Sequence, residues 1–75
     1  MIEKATFVSE WDGGYATFKT DCKVDMDTGN VFDIEQVDVS SIDLNSLDYE
    51  GVIIDGVEHD VYYDDELQMY FVELN

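Results

Sequence analysis

Apolar and polar residues alternate with a period of two along most of this chain, and short turn-forming clusters separate the alternating runs. Asp12-Gly13-Gly14 lies between Ala5–Trp11 and Tyr15–Met26, Asp27-Thr28-Gly29-Asn30 precedes Val31–Val39, and Asp55-Gly56 divides Glu50–Ile54 from Val57–Tyr63. Asp-Gly between alternating runs favours a tight hairpin, because its central residues take positive φ at little steric cost. β-Branched and aromatic residues dominate every run and proline is absent, so strands are expected over 4–11, 15–26, 31–39, 50–54, 57–63 and 68–74. The elements predict an all-β fold, an antiparallel meander of five or six strands curled into a small barrel or a two-layer sandwich. The alternation fails over 40–49. Either Ser40 or Ser41 caps a short helical turn near 40–48 carrying Ile42, Leu44 and Leu47, or the segment crosses as a loop.

Side chains test the register, because a slip of one residue exchanges the two faces of a strand. A bulged turn at Asp27-Thr28-Gly29 pairs Met26 with Asn30, Val24 with Phe32 and Cys22 with Ile34 on one side. The other side then sets Asp21, Lys23 and Asp25 against Val31, Asp33 and Glu35, with Lys23 across from Asp33. A turn at Asp12-Gly13 places Ala5, Phe7 and Trp11 on the face of Ala16, Phe18 and Thr20, with Trp11 against Gly14. A two-residue Asp55-Gly56 loop pairs Ile54 with Val57 and Val52 with His59, leaving Ile53, Glu58 and Asp60 outside.

The 75 residues form one small acidic β domain, 1–75, whose 45% hydrophobic content is too high for a disordered acidic tail. A single cysteine, Cys22, cannot make an internal disulfide, and no Cys/His cluster has zinc spacing. No basic-then-apolar leader and no long apolar run is present, and a cytoplasmic setting is expected.

Charge changes the picture most. Net charge is −16, and all three Lys or Arg residues, Lys4, Lys19 and Lys23, lie in the first 23 positions; the remainder carries fifteen Asp and Glu and no Lys or Arg. Direct binding to nucleic acid or to an anionic membrane is excluded, because both rest on Lys and Arg. A basic protein surface, a polyamine or a divalent cation is the partner left by this composition.

Nothing points to catalysis. No nucleophile, basic clamp or oxyanion donor set accompanies the carboxylates, so no enzyme and no cofactor are expected. Asp25-x-Asp27-x-Gly29-Asn30 begins like a calcium loop, but Gly29, Asn30 and Gln36 stand where a third oxygen ligand, a glycine and a bidentate Glu are required, so a structural turn is the simpler reading. His59 falls on the apolar face near Val52, and Cys22 points inward as a small hydrophobe. Phe7, Phe18, Phe32 and Phe71 suit the core, whereas Tyr49, Tyr62 and Tyr70 suit partly exposed positions beside acids.

Outward acids are then the candidate partner-binding residues: Asp21, Asp25, Asp33 and Glu35, and Glu58 and Asp60 with Tyr62 beside them. Same-face residues along a strand are about 6.7 Å apart and strands about 4.8 Å apart. Carboxylates at such spacing imitate the phosphates of one DNA strand, and tyrosine among them adds cation–π capacity. The expected function is that of a small acidic interaction protein for a basic protein surface, with a DNA-mimic inhibitor as its sharper form. The alternatives are a divalent-cation-binding module using the acidic loops and a structural domain whose charge only solubilises it.

The run from Trp11-Asp12-Gly13-Gly14 through Cys22-Lys23-Val24-Asp25-Met26-Asp27-Thr28-Gly29-Asn30-Val31-Phe32-Asp33-Ile34-Glu35 resembles short uncharacterised acidic proteins of gut bacteria and their mobile elements. In size and charge the chain also resembles the DNA-mimic inhibitors carried by phages and mobile elements. The first likeness implies a bacterial, cytoplasmic setting and brings no activity or site residue with it.

Overall fold

The computed structural model describes residues 1–74. Six strands form a closed antiparallel barrel: β1 (Ile2–Trp11), β2 (Ala16–Asp25), β3 (Asn30–Phe32), β4 (Leu47–Ile54), β5 (Val57–Asp64) and β6 (Met69–Val72). Their order around the wall is β1-β2-β3-β6-β5-β4, with β4 closing on β1. Two three-stranded meanders therefore meet edge to edge. β3 and β4 stand on opposite sides of the barrel, so the connection between them must cross one end.

Alternation decides what lies inside. Phe7, Cys22, Val24, Val31, Val52, Ile54 and Val72 form the core, with Ala5, Met26, Ile34, Val61 and Tyr70 packed against it. At about 1.5–3 kcal/mol per fully buried aliphatic side chain, this cluster is the main stabilising element of a chain without staples. The third hairpin has the expected register: Ile54 pairs with Val57 and Val52 with His59, across a turn in which Asp55 and Gly56 take φ of 49° and 78°.

Elsewhere the structure corrects the register. In the first hairpin Trp11 lies opposite Ala16, not Gly14, because Asp12, Gly13 and Gly14 take φ of 53°, 66° and 94° in a tight left-handed turn closed by the Tyr15 amide on the Asp12 carbonyl. The shift is two residues, so the expected faces survive. In the second hairpin Val24 pairs with Val31 and Lys23 with Phe32, one residue away from the expected register. Here the Gly29 amide donates to Asp25 at 2.7 Å, and the Gly29 carbonyl accepts from Val72 at 2.8 Å. The longer loop thus joins β6 to the barrel and turns Val31 inward, at 3% exposure, where the expected register placed it outside.

Asp33, at φ 50°, undoes this slip. Beyond it the Glu35 amide donates to the Asp21 carbonyl at 2.9 Å, Ile34 packs on the core beside Cys22, and Lys23 reaches Asp33 as expected. The left-handed residue also ends the strand: β3 stops at Phe32, where a strand to 39 was expected. Residues 33–43 then cross the barrel end as irregular chain. The helical turn beyond is Leu44–Ser46, and its cap is Asp43, which accepts from the Asn45 amide at 2.9 Å, in place of Ser40 or Ser41. β4 begins at Leu47, three residues earlier than expected.

Candidate functional site

The seven candidate residues all derive from one rule, outward parity on a strand, but the closed wall divides them into two groups. Asp21 and Asp25 lie on the outer face of β2, and Asp33 and Glu35 follow β3 beside it. The three lysines are on the same side: Lys19 and Lys23 on β2, and Lys4 on β1 directly opposite Lys23. Lys23 Nζ stands 3.2 Å from Asp33 Oδ2, both exposed. Lys4, Lys23, Asp21, Asp33 and Glu35 line a shallow opening of about 380 Å³ above Cys22. Asp25 is further engaged as a turn cap, its Oδ1 accepting from the Asp27 amide at 2.9 Å. This half of the candidate set is therefore a mixed-charge surface with much of its acidity locally answered.

The second group is different. Glu58 and Asp60 occupy the outer face of β5, opposite Ile53 and Gly51 of β4. Tyr62 continues that row and is 52% exposed. Its ring stacks on Phe71 of β6 with centroids 5.9 Å apart. Phe71 was expected in the core, yet alternation along β6 turns Val72 inward and Phe71 out. Phe32 likewise pairs with Lys23 on the outer side and lies outside the core cluster.

Tyr49 completes the face. Its hydroxyl donates to Glu58 Oε2 at 3.0 Å. Its ring covers Gly51, where a methyl group would strike the phenol and come within 2.9 Å of the His59 carbonyl oxygen. The glycine thus makes room for an aromatic side chain to lie flat on the sheet. Burial first, and then Glu58 and Asp60, push the Tyr49 phenol up to about 12, so it remains a neutral donor. Sequence reasoning placed Tyr49 near acids but missed its pairing with Gly51; the signal was a glycine within an alternating strand, two residues from a tyrosine.

The remaining candidates resolve simply. Cys22 is buried, and its thiol is raised to about 11 by burial first and Asp21 second, which removes nucleophilic character at neutral pH. Tyr70 is half-buried, as expected: it lies on the inward face of β6 and packs edge-on against Phe7 with centroids 5.3 Å apart. The acidic turn Asp64-Asp65-Glu66 uses Asp64 as a cap for the Glu66 and Leu67 amides, at 2.9 and 3.1 Å. Among the described residues no three Asp, Glu, His or Cys side chains converge as a metal site.

The fold and this face define a small closed barrel with one bare acidic-aromatic side. In comparisons with known proteins, no family model, no curated protein and no solved structure matches the chain.

Proposed function

We propose that this protein is an acidic interaction module whose β4–β5–β6 outer face docks on a basic surface of another protein. The observation that carries the reading is spatial segregation. Every lysine sits on the outer side of β1 and β2, whereas Glu58 and Asp60 stand on β5 beside Tyr49, Tyr62 and Phe71 with no Lys or Arg on β4, β5 or β6. Carboxylates flanked by flat aromatic rings suit Lys and Arg, through charge-assisted hydrogen bonds and cation–π contact. A rigid barrel holds these groups in place, so little ordering entropy opposes docking. Acids about 6.7 Å apart along β5 also suit a groove that otherwise takes DNA, which makes a nucleic-acid-binding protein the natural partner of the mimic form.

The test is affinity capture on immobilised protein, with washes of rising salt and elution by duplex DNA. A single nucleic-acid-binding protein, held at low salt and displaced by DNA, is the expected result. A broad set of basic proteins released together by modest salt would reduce the acidity to a solubilising role.

A further inference from the structure

The crossing segment covers one end of the barrel without filling it. β1 and β2 each run for ten residues, while β3 and β6 have three and four, so the inner faces of the long strands continue where the opposite wall has stopped. Between them and residues 34–39 lies a cavity of about 520 Å³, lined chiefly by Phe7, Trp11, Phe18, Glu50 and Tyr70. Its volume falls within the range of about 300–1,000 Å³ usual for small-molecule sites, and barrel mouths are a common place for them.

Glu50 is the unexpected member. It has the inward parity of Val52 and Ile54, both buried, so a carboxylate occupies a position that the strand pattern reserves for an apolar residue. Such a local conflict costs stability unless the group is satisfied. Here the Tyr70 hydroxyl donates to Glu50 Oε2 at 2.9 Å, and the Tyr70 ring is held between Phe7 and Tyr63. Burial first, and Glu50 second, keep that phenol protonated, pushed up to about 12. Trp11 is positioned in the same manner, its indole N–H donating at 3.1 Å to the hydroxyl of buried Ser9. The two aromatic donors are therefore already used. What the cavity still offers is acceptor capacity on Glu50 and the π-systems of Phe7, Trp11, Phe18 and Tyr70; among the described residues no Lys or Arg lines it.

We propose that the barrel mouth binds a small organic cation, a primary alkylammonium on a short apolar stem. The ammonium pairs with Glu50, and the stem lies among Phe7, Trp11 and Phe18. Carboxylate and aromatic rings together select a cation over a neutral amphiphile, through a charge-assisted hydrogen bond and cation–π attraction. An anion is rejected by Glu50. The same group arises in a free amine and at the end of a lysine side chain. The site is separate from the β5 face and stands or falls independently of it.

Trp11 is the single tryptophan of the chain, so its fluorescence reports the cavity directly. Titration with n-butylammonium should give a saturable change that n-butanol and butyrate at equal concentration do not give. Glu50→Gln should weaken the apparent affinity about tenfold or more, and Phe18→Leu should weaken it less, while Asp65→Asn in the exposed turn before β6 should leave it unchanged. A parallel titration with N-acetyl-lysine amide identifies the source: tighter binding than n-butylammonium assigns the site to a lysine side chain, and weaker binding to a free amine. An equal response to n-butanol, an unchanged affinity in Glu50→Gln, or no saturable response into the millimolar range would each overturn the proposal. The n-butanol comparison uses the wild-type chain, so it decides even where Glu50→Gln folds poorly.

Discussion

Replacing Gly51 by alanine tests how the outer face is built. The added methyl would meet the His59 carbonyl oxygen at 2.9 Å, a backbone atom of β5, and would also strike the Tyr49 phenol. Overpacking of this kind costs about 1–3 kcal/mol. Displacing Tyr49 also removes its hydrogen bond to Glu58, worth about 0.5–1.5 kcal/mol. Against this, alanine is favoured over glycine within a strand by about 0.5–1 kcal/mol. The net is a destabilisation of about 2 kcal/mol, which for a domain this size lowers Tm by roughly 8–16 °C. Urea denaturation should show a lower midpoint at constant slope. In a Tyr49→Ala background the ring is gone, and Gly51→Ala should cost about 1 kcal/mol less, a coupling visible in a double-mutant cycle. A Gly51→Ala variant as stable as the parent, with the Tyr49–Glu58 contact intact by NMR, would refute this account of the face.

Three further outcomes follow from the core and its titrating groups. Val24→Ala and Val52→Ala, both at 0% exposure in the parent, should each cost about 2–3 kcal/mol in urea denaturation, whereas Val57→Ala, at 57% exposure, should stay within about 0.5 kcal/mol. Tyr49 and Tyr70 are raised in the folded state from 10.0 to about 12, so their contribution to stability is complete below pH 10 and is lost as pH rises through 12. Denaturation midpoints at pH 9, 11 and 12 should fall in that order, and the fall should be smaller in Tyr70→Phe. Cys22 should resist a thiol reagent at pH 8 and react at a rate that climbs with urea; rapid labelling of the native protein would contradict its burial and its raised pKa of about 11.

What the chain revealed about itself depended on how local each cause was. Asp55-Gly56 needs only its own φ angles, and the hairpin around it has the expected register to the residue. The Asp12 turn differs because two glycines allow a longer left-handed turn where a two-residue loop was expected, a choice that shifts pairing by two and leaves the faces alone. Residues 26–33 were misread for a non-local reason. Gly29 bonds to Val72, so the loop length answers to a strand more than forty residues away, and Asp33 then restores the register. No alternation pattern carries that information. Among the candidate residues, outward parity placed Glu58, Asp60 and Tyr62 on one outer face, but it also grouped them with Asp21, Asp25, Asp33 and Glu35, which barrel closure sets among the lysines. Glu50 was legible in principle, since it breaks the inward pattern of Val52 and Ile54. Its significance emerges only once Tyr70 and Trp11 are brought around it.

The central claim is that the β5 side, and not net charge alone, recognises a basic partner. Two variants of equal net charge separate these ideas: Glu58→Gln with Asp60→Asn on β5, and Asp21→Asn with Asp25→Asn on β2. The affinity of each for the captured partner, measured by calorimetry at one ionic strength, is the direct test. The β5 pair should lose about tenfold or more, and the β2 pair should bind nearly as the parent does. Equal losses in both would contradict that claim, because the partner would then be reading only the total charge.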